Sequence, residues 1–429
     1  MSKIARRIGS IALAVGLAAV TFVAIVVAGL SQSGSETSPP AVSALDSAKP
    51  AGAPVDGQFV VALVLGRSGS DTADVFAPYE VLASSPAFFV YTIAATAGPA
   101  PVDGGMSVVP AHTFAEAASG AAPAPDLVVV PAVNAPAAPE EADARAFIVA
   151  QYNAGARILG ICAGSRLLAA SGILDGLRAT SHWSRIAALE TSNPEVSWVR
   201  GERYVQDGRV TTTGGVTSSI PGALKVMADM AGDAEAIRVG DAIGYPGWSL
   251  DAPTAMPVKS FGFEDTAFLA NTAFPWGRPN VGVELRDGVD EIDAAAIFEV
   301  YSYAQGTTAG ALSGKGIVTT RHGLVIQTSL LNDSTAASLV AGELGEAGSE
   351  QGFDAAFEQL STTTSASVVR SVSKMIEYPI DRVTLQSAQI MSLARTPLLV
   401  MVGLLVAVGV GLLPASIRRS ARRRKAASA

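Results

Sequence analysis

The chain has 429 residues, 49% hydrophobic and 16% charged, with 42 glycines, 24 prolines, three histidines and one cysteine. That length fits two or three domains of about 150 residues each; the composition excludes collagen-like and wholly disordered chains, and a single cysteine excludes a disulfide scaffold or a cysteine-cluster metal site. The net charge of −8 is uneven: nine of the 30 basic residues sit at the two ends, leaving a body with 38 acidic against 21 basic residues, a net of −17 that repels nucleic acid.

Residues 8–35 carry no charge, and Ile11 to Leu30 is almost wholly apolar. Twenty such residues in a helix span roughly 30 Å, the thickness of a bilayer core. Lys3, Arg6 and Arg7 precede this run, so residues 1–30 read as a transmembrane anchor. A cleaved signal peptide is the alternative, and its apolar region is usually shorter. Residues 31–57, rich in Ser, Pro, Ala and Gly, read as a flexible linker.

Regular structure begins at Phe59-Val-Val-Ala-Leu-Val-Leu, a continuous apolar run expected of a strand buried on both faces. Asp126-Leu-Val-Val-Val-Pro and Arg157-Ile-Leu-Gly-Ile are two more. Helical patterns lie at 74–84, 139–154 and 164–172, and Gly222 to Gly244 reads as one or two closing helices. Alternating strands and helices predict an α/β domain over 58–247 with a doubly wound parallel sheet. Residues 248–279 read as a linker.

Residues 280–380 read as a shortened second copy of that domain. Asp71-Thr-Ala-Asp-Val-Phe-Ala-Pro-Tyr-Glu-Val resembles Asp290-Glu-Ile-Asp-Ala-Ala-Ala-Ile-Phe-Glu-Val 219 residues later, with Asp74 on Asp293 and Glu80 on Glu299. Ala223 to Pro246 aligns with Ala356 to Pro379 at an offset of 133, both ending in Tyr-Pro. The offset shrinks because the copy lacks the third strand and the turn after it; chance likeness of helical patterns is the alternative. Without a cysteine the copy holds no second thiol site, and it is expected to pack on the first as an intramolecular pseudo-dimer; a homodimer is the other arrangement. Residues 381–396 form a juxtamembrane segment, 397–417 a second transmembrane helix and 418–429 a basic tail. Basic flanks at both ends place both termini in the cytoplasm and the body outside it.

Chemistry centres on Gly160-Ile-Cys-Ala-Gly164, which follows a strand and precedes a helix. This is the pattern of a nucleophile elbow: small residues permit a sharp strand-to-helix turn that projects Cys162 from the carboxyl edge of the sheet. At a helix N-terminus the thiolate is expected to form below the ordinary thiol value of about 8.5. The alternative is a buried structural cysteine. His182, in Arg178-Ala-Thr-Ser-His-Trp183, follows a short strand predicted over Leu177 to Ser181 beside the elbow's own strand. It reads as a base or orienting group for the thiol, or as a loop histidine bonded to backbone. Asp74 follows the first strand, at the same carboxyl edge; it reads either as a carboxyl that shares a proton with the thiol or as a helix N-cap. His112 and His322 read as surface residues. Neither a G-x-G-x-x-G nor a Walker loop is present, so no cofactor and no metal are implied.

The block from Ile158 to Trp183 resembles the ThiJ/PfpI superfamily (also written DJ-one/PfpI), and within it the branch of isonitrile hydratases and AraC-type regulator sensor domains. Asp74-Val-Phe-Ala-Pro-Tyr-Glu-Val-Leu-Ala-Ser and Thr213-Gly-Gly-Val-Thr-Ser-Ser-Ile are similar to two further motifs of that branch, so the resemblance covers about residues 58–247. It implies a flavodoxin-like, class I glutamine amidotransferase-like fold, a reactive Cys162 and a catalytic acid at Asp74. The sequence departs from the branch where Pro131-Ala-Val133 replaces Pro-Gly-Gly, where Ala163 replaces a threonine, and where a membrane span replaces a DNA-binding helix-turn-helix. Three functions follow: a cysteine-dependent hydratase or hydrolase acting on an unidentified small molecule, a ligand or redox sensor, and a structural relic.

Overall fold

The computed structural model describes residues 3–32, 52–332, 338–341, 350–381, 383–385 and 395–427; most of the linker 31–57 and of the juxtamembrane segment 381–396 lies outside the described residues. Helix α1 (Lys3–Gln32) precedes the first α/β unit. There, β1 (Phe59–Val64) leads into α2 (Thr72–Ala83) and β2 (Phe88–Ala94). The short β3 (His112–Thr113), β4 (Leu127–Val130) and β5 (Arg157–Gly160) follow, and β5 turns directly into α3 (Ser165–Ala170). The unit closes with β6 (Tyr204–Asp207), β7 (Val210–Thr213), α4 (Ser219–Ala231) and α5 (Asp233–Ile243).

The seven strands form one sheet in the order β6-β7-β5-β4-β1-β2-β3, parallel except for the β6–β7 hairpin. The apolar runs follow from double burial. Val61 and Leu63 pack into one core with α2 and α4, whereas Val60, Ala62 and Val64 pack into the other with Phe147 and Ile148. Each fully buried valine or leucine among them contributes about 2 kcal/mol of transfer free energy. Strand order reverses between β1 and β4, and the loops beyond their carboxyl ends open a crevice there.

Residues 177–181 depart from expectation. Only Arg178–Ala179 is a strand, and it pairs with Ser197–Trp198 in a separate two-stranded sheet. The place beside β5 is taken by β7. The stretch 248–279, expected as a linker, carries α6 (Thr266–Ala273), with Phe268 and Phe274 buried.

A second sheet is built from β8 (Asn280–Glu284), β9 (Thr308–Ser313), β10 (Ser329–Leu330) and β11 (Leu339–Val340), in the parallel order β10-β9-β8-β11. Helix α7 (Glu291–Ala304) connects β8 to β9 and packs on α2. Asp71 and Asp290 stand at the N-cap positions of α2 and α7, Asp71 alone with a side-chain capping bond, so Asp74 and Asp293 share the third helical position and Glu80 and Glu299 the ninth. The two sheets are bridged by a four-stranded antiparallel sheet, in which Met106–Val108 pairs with Val325–Gln327 and each is backed by its own hairpin partner. Helices α8 (Glu350–Ser361) and α9 (Ala366–Ile376) complete this half. α9 begins and ends 133 residues after α5, and both stop at a left-handed residue, Gly244 and Glu377.

The last helix, α10 (Arg395–Ala427), lies against α1 and also touches α6. Among the described residues one segment, Ile11–Gln32, is long and apolar enough to cross a membrane; the apolar part of α10 covers Thr396–Val410.

His322 is not a surface residue. Its Nδ1 lies 2.8 Å from Glu291 Oε2 and its Nε2 3.4 Å from Ser84 Oγ, and its carbonyl accepts from Tyr79 Oη at 3.2 Å, so it joins the two halves. His112 is half-buried and edge-on to the Tyr91 ring.

The turn after β5 sets the tightest steric condition. A Cβ added at Gly164 would fall on the Val130 carbonyl oxygen and press on the Pro131 backbone, which cannot yield. Gly164→Ala is expected to lower stability by about 3 kcal/mol, as overpacking against backbone does, measured by chemical unfolding beside Gly314→Ala, an exposed position with open space and no left-handed backbone. Equal losses at both positions would refute the tight approach.

Candidate active site

Cys162 stands where β5 gives way to α3, and its φ of 52° lies in the left-handed region that L-residues avoid. Strain of this kind costs about 1–3 kcal/mol and persists where the surroundings fix it. Here Cys162 N donates to Thr213 Oγ1 at 3.0 Å, and its carbonyl accepts from Ser165 Oγ at 3.2 Å and Ser181 Oγ at 3.3 Å. The Thr213-Gly-Gly motif therefore holds the elbow from the neighbouring strand β7.

Asp74 is buried beside the thiol. Asp71, not Asp74, is the N-cap: its Oδ1 accepts from the amides of Ala73 and Asp74 at 3.1 and 3.2 Å. Asp74 Oδ2 accepts from Ala132 N at 2.9 Å, and Oδ1 is buried without a hydrogen-bond partner. The loop in which Pro131-Ala-Val133 departs from Pro-Gly-Gly thus uses the Ala132 amide to hold Asp74. Burial, then the Asp71 charge, raise the Asp74 carboxyl well above the usual range, while the Ala132 amide and the Cys162 thiol pull it back in part.

The thiol does not follow the helix-terminus expectation. Burial, then the charges of Asp74 and Asp71, push Cys162 well above its ordinary value, and a hydrogen bond from the Ala163 amide offsets this only in part. The physical reason is dielectric. α3 has six residues and a weak terminal field, whereas the carboxyls sit in the same low-dielectric cavity. Burial thus favours the neutral thiol over the thiolate and the protonated carboxyl over the carboxylate.

His182 reaches the same cavity but not the thiol. Its Nδ1 accepts from Ser184 N at 3.3 Å and lies 2.7 Å from Ser184 Oγ, while Nε2 lies 2.7 Å from the Met375 carbonyl. The carbonyl accepts only, so Nε2 carries the hydrogen and neither nitrogen is open to the thiol as a base. Burial, chiefly, lowers His182 to about 4, so the ring is neutral near pH 7.

The second half supplies residues that local sequence did not assign to the site. The cavity, about 270 Å³, is lined by Cys162 and Asp71 from one half and by Tyr303, Gln305 and Met375 from the other. Glu299 shares a hydrogen bond with Asp71, which requires a proton between the two carboxyls. Burial and the Asp71 charge raise Glu299 well above the usual range, so it is the protonated partner. Burial, then Asp71 and Glu299, likewise raise Tyr303, which stays a phenol. Glu299 carried a signal as the counterpart of Glu80; Tyr303 carried none. Among the described residues no cluster of His, Cys, Asp and Glu has metal-binding geometry.

A model of the DJ-1/PfpI family matches residues 60–229. The isonitrile hydratase of Pseudomonas putida is 32% identical over 161 residues, 37% of this chain and 67% of the relative. The HTH-type transcriptional regulator GlxA of Rhizobium meliloti is 34% identical over 124 residues, 27% of this chain and 36% of the regulator. CdhR of Pseudomonas aeruginosa, another HTH-type transcriptional regulator, is 40% identical over 87 residues, 20% of this chain and 26% of the regulator. Among solved structures, a ThiJ/PfpI family protein from Pseudomonas syringae aligns with a TM-score of 0.39 at 24% identity, covering 52% of this chain and 89% of that one. Drosophila melanogaster DJ-1beta aligns with a TM-score of 0.38 at 23% identity, covering 43% of this chain and 96% of that one. The chain belongs to the DJ-1/PfpI family.

Removing the Asp74 charge should release the thiol. In Asp74→Asn the pH at which Cys162 becomes half-reactive toward iodoacetamide is expected to fall, from a wild-type value above about 8.5. An unchanged alkylation profile would show that Asp74 carries no charge felt at the sulfur.

Proposed function

We propose that this DJ-1/PfpI protein is a membrane-anchored, cysteine-dependent hydratase or hydrolase that acts on a small electrophile outside the cytoplasm. One observation carries the reading: a cysteine in left-handed backbone at a strand-to-helix turn, beside a buried carboxyl, at a cavity of about 270 Å³. A raised thiol next to a raised acid suits concerted addition to a neutral electrophile better than thiolate attack on an amide. Written for an isonitrile, Sγ bonds to the terminal carbon while the thiol proton passes through Asp74 to that carbon, giving a thioimidate. Water then adds to the thioimidate carbon, and the thiol leaves with its proton, releasing a formamide. Cys162 is the nucleophile and Asp74 the proton carrier. His182 acts as a positioning residue that ties the site to α9.

The half spanning 280–380 is, in this reading, a shortened copy that serves as a built-in partner. Its support is the shared capping position of Asp71 and Asp290, the matched Glu80 and Glu299, and the equal ends of α5 and α9. The membrane reading draws on α1 and α10 lying side by side while displaying apolar side chains outward, as with Val20 at 68% and Leu405 at 63% exposure. A ligand or redox sensor is the second reading. It is favoured by the kinship with GlxA and CdhR and by the His182–Met375 bond, which links the cavity to the segment leading toward α10.

Substitution separates the two. In a screen of isonitriles, amides and aldehydes, Cys162→Ala and Asp74→Asn are each expected to lower turnover at least about a hundredfold with the fold intact. No Cys162-dependent turnover in that screen would sink the enzyme reading and leave the sensor.

The topology has its own measurement. Reporter fusions at Val55 and Leu385 are expected to report outside the cytoplasm and a fusion at Ala429 inside. A C-terminal reporter found outside would overturn the two-span arrangement.

A further inference from the structure

The cavity has two unlike ends. Two carboxyls, Asp71 and Asp103, line it with Cys162, behind which Asp74 is buried, and two arginines, Arg166 and Arg185, line it as well. Arg166 is half-buried and Arg185 exposed. Among the described residues neither guanidinium has an ion-pair or hydrogen-bond partner, which is unexpected in a body with net charge −17. Asp71 and Asp74 do not serve them. Asp71 is committed to the α2 cap and Glu299, and Asp74 to the Ala132 amide. Desolvation and the neighbouring Arg185 charge both disfavour the Arg166 cation, so the pair gains by meeting an anion.

We propose that Arg166 and Arg185 form an anion clamp, so that the molecules taken by this cavity are small carboxylates whose carboxylate sits on the two guanidiniums while the opposite, uncharged end faces Cys162. The inference rests on the reading of Cys162 as a small-molecule site and names its substrate class. Guanidinium suits the purpose: its planar fork meets both carboxylate oxygens, and it keeps its charge where an ammonium would lose it. The neutral donors Ser184, Asn134 and Gln305 also line the cavity and suit the polar, uncharged remainder of the ligand. A cavity of about 270 Å³ holds a molecule of that size.

Binding is tested apart from catalysis, on the full chain in neutral detergent carrying Cys162→Ala. The probes are N-formylglycine, which is the hydration product of isocyanoacetate, and its uncharged N-methylamide. Calorimetry is expected to show the acid binding at least about tenfold more tightly than the amide, the lower end of what one charge-assisted hydrogen bond supplies. Arg166→Ala and Arg185→Ala are each expected to reduce that preference to within about threefold, with Arg185→Ala, on the surface, as the variant least able to disturb folding. Equal binding of acid and amide, binding of neither, or a preference that survives both substitutions would overturn the clamp. The catalytic reading fails separately: selective binding of the acid with no turnover of isocyanoacetate or its methyl ester by the unsubstituted chain leaves the clamp standing on a non-catalytic site.

Discussion

The packing of α2 on α7 fixes the electrostatics of everything near the cysteine. Along this contact Glu80 Oε2 accepts from Ile292 N at 2.6 Å, at the start of α7, while Glu299 reaches Asp71 at the start of α2. Each helix thus presents its positive end to a carboxyl from the other. The Coulomb gain is modest, and desolvation dominates: Asp74, Glu80 and Glu299 all lie well above the usual carboxylate range. Burial therefore favours the protonated forms of these acids along the contact. In the folded chain these groups keep protons that the unfolded chain has released, so this part of the stability falls as pH rises from the ordinary carboxylate range through the raised folded values. The halves are held in a way that places buried carboxyls with raised proton affinity beside the thiol.

That proton-rich setting separates two kinds of cysteine chemistry. A thiolate held ready needs a cation, a base or a long helix aimed at the sulfur. None of these dominates at Cys162, where the nearest histidine has both nitrogens engaged and the nearest charges are acids. Acid-assisted addition needs the opposite arrangement, with the thiol and a carboxyl sharing a proton until an electrophile arrives. The Ala132 amide holds one oxygen of Asp74 and leaves the other without a partner, the geometry a proton carrier requires.

Much of the first unit was legible in the sequence because double burial writes itself as uninterrupted apolar runs. β1, β4 and β5 stand where those runs lie. The elbow was legible because sterics at Gly160 and Gly164 leave few alternatives: a Cβ at Gly160 would sit 2.6 Å from Leu168 Cδ1. What failed depended on distant partners. The strand predicted over 177–181 shrank to two residues because the β6–β7 hairpin occupies the edge beside β5. His182 turned to the carbonyl of Met375, 193 residues away, which no local pattern encodes. The thiol's titration followed carboxyls brought in by α2 and α7 over the local helix terminus on which the expectation rested.

If the half from 280 to 380 is a shortened copy, what it keeps and what it lacks follow one rule. The parts present are those that touch the first unit: α7 lies on α2, the 325–327 strand extends the 106–108 strand, and the end of α9 meets His182. The parts lacking are the third strand and the elbow, which in a doubly wound sheet belong to a catalytic edge and not to a partner face. Such a half cannot carry out thiol chemistry, yet it supplies Glu299, Tyr303 and the Met375 carbonyl to the site that does. A separate partner chain would provide the same wall only at the concentration of that partner, whereas a covalent one provides it at a high and constant effective concentration. For a protein tethered at both ends of its chain to a membrane, as proposed here, encounters with a second copy are restricted in orientation, and an internal partner removes that dependence.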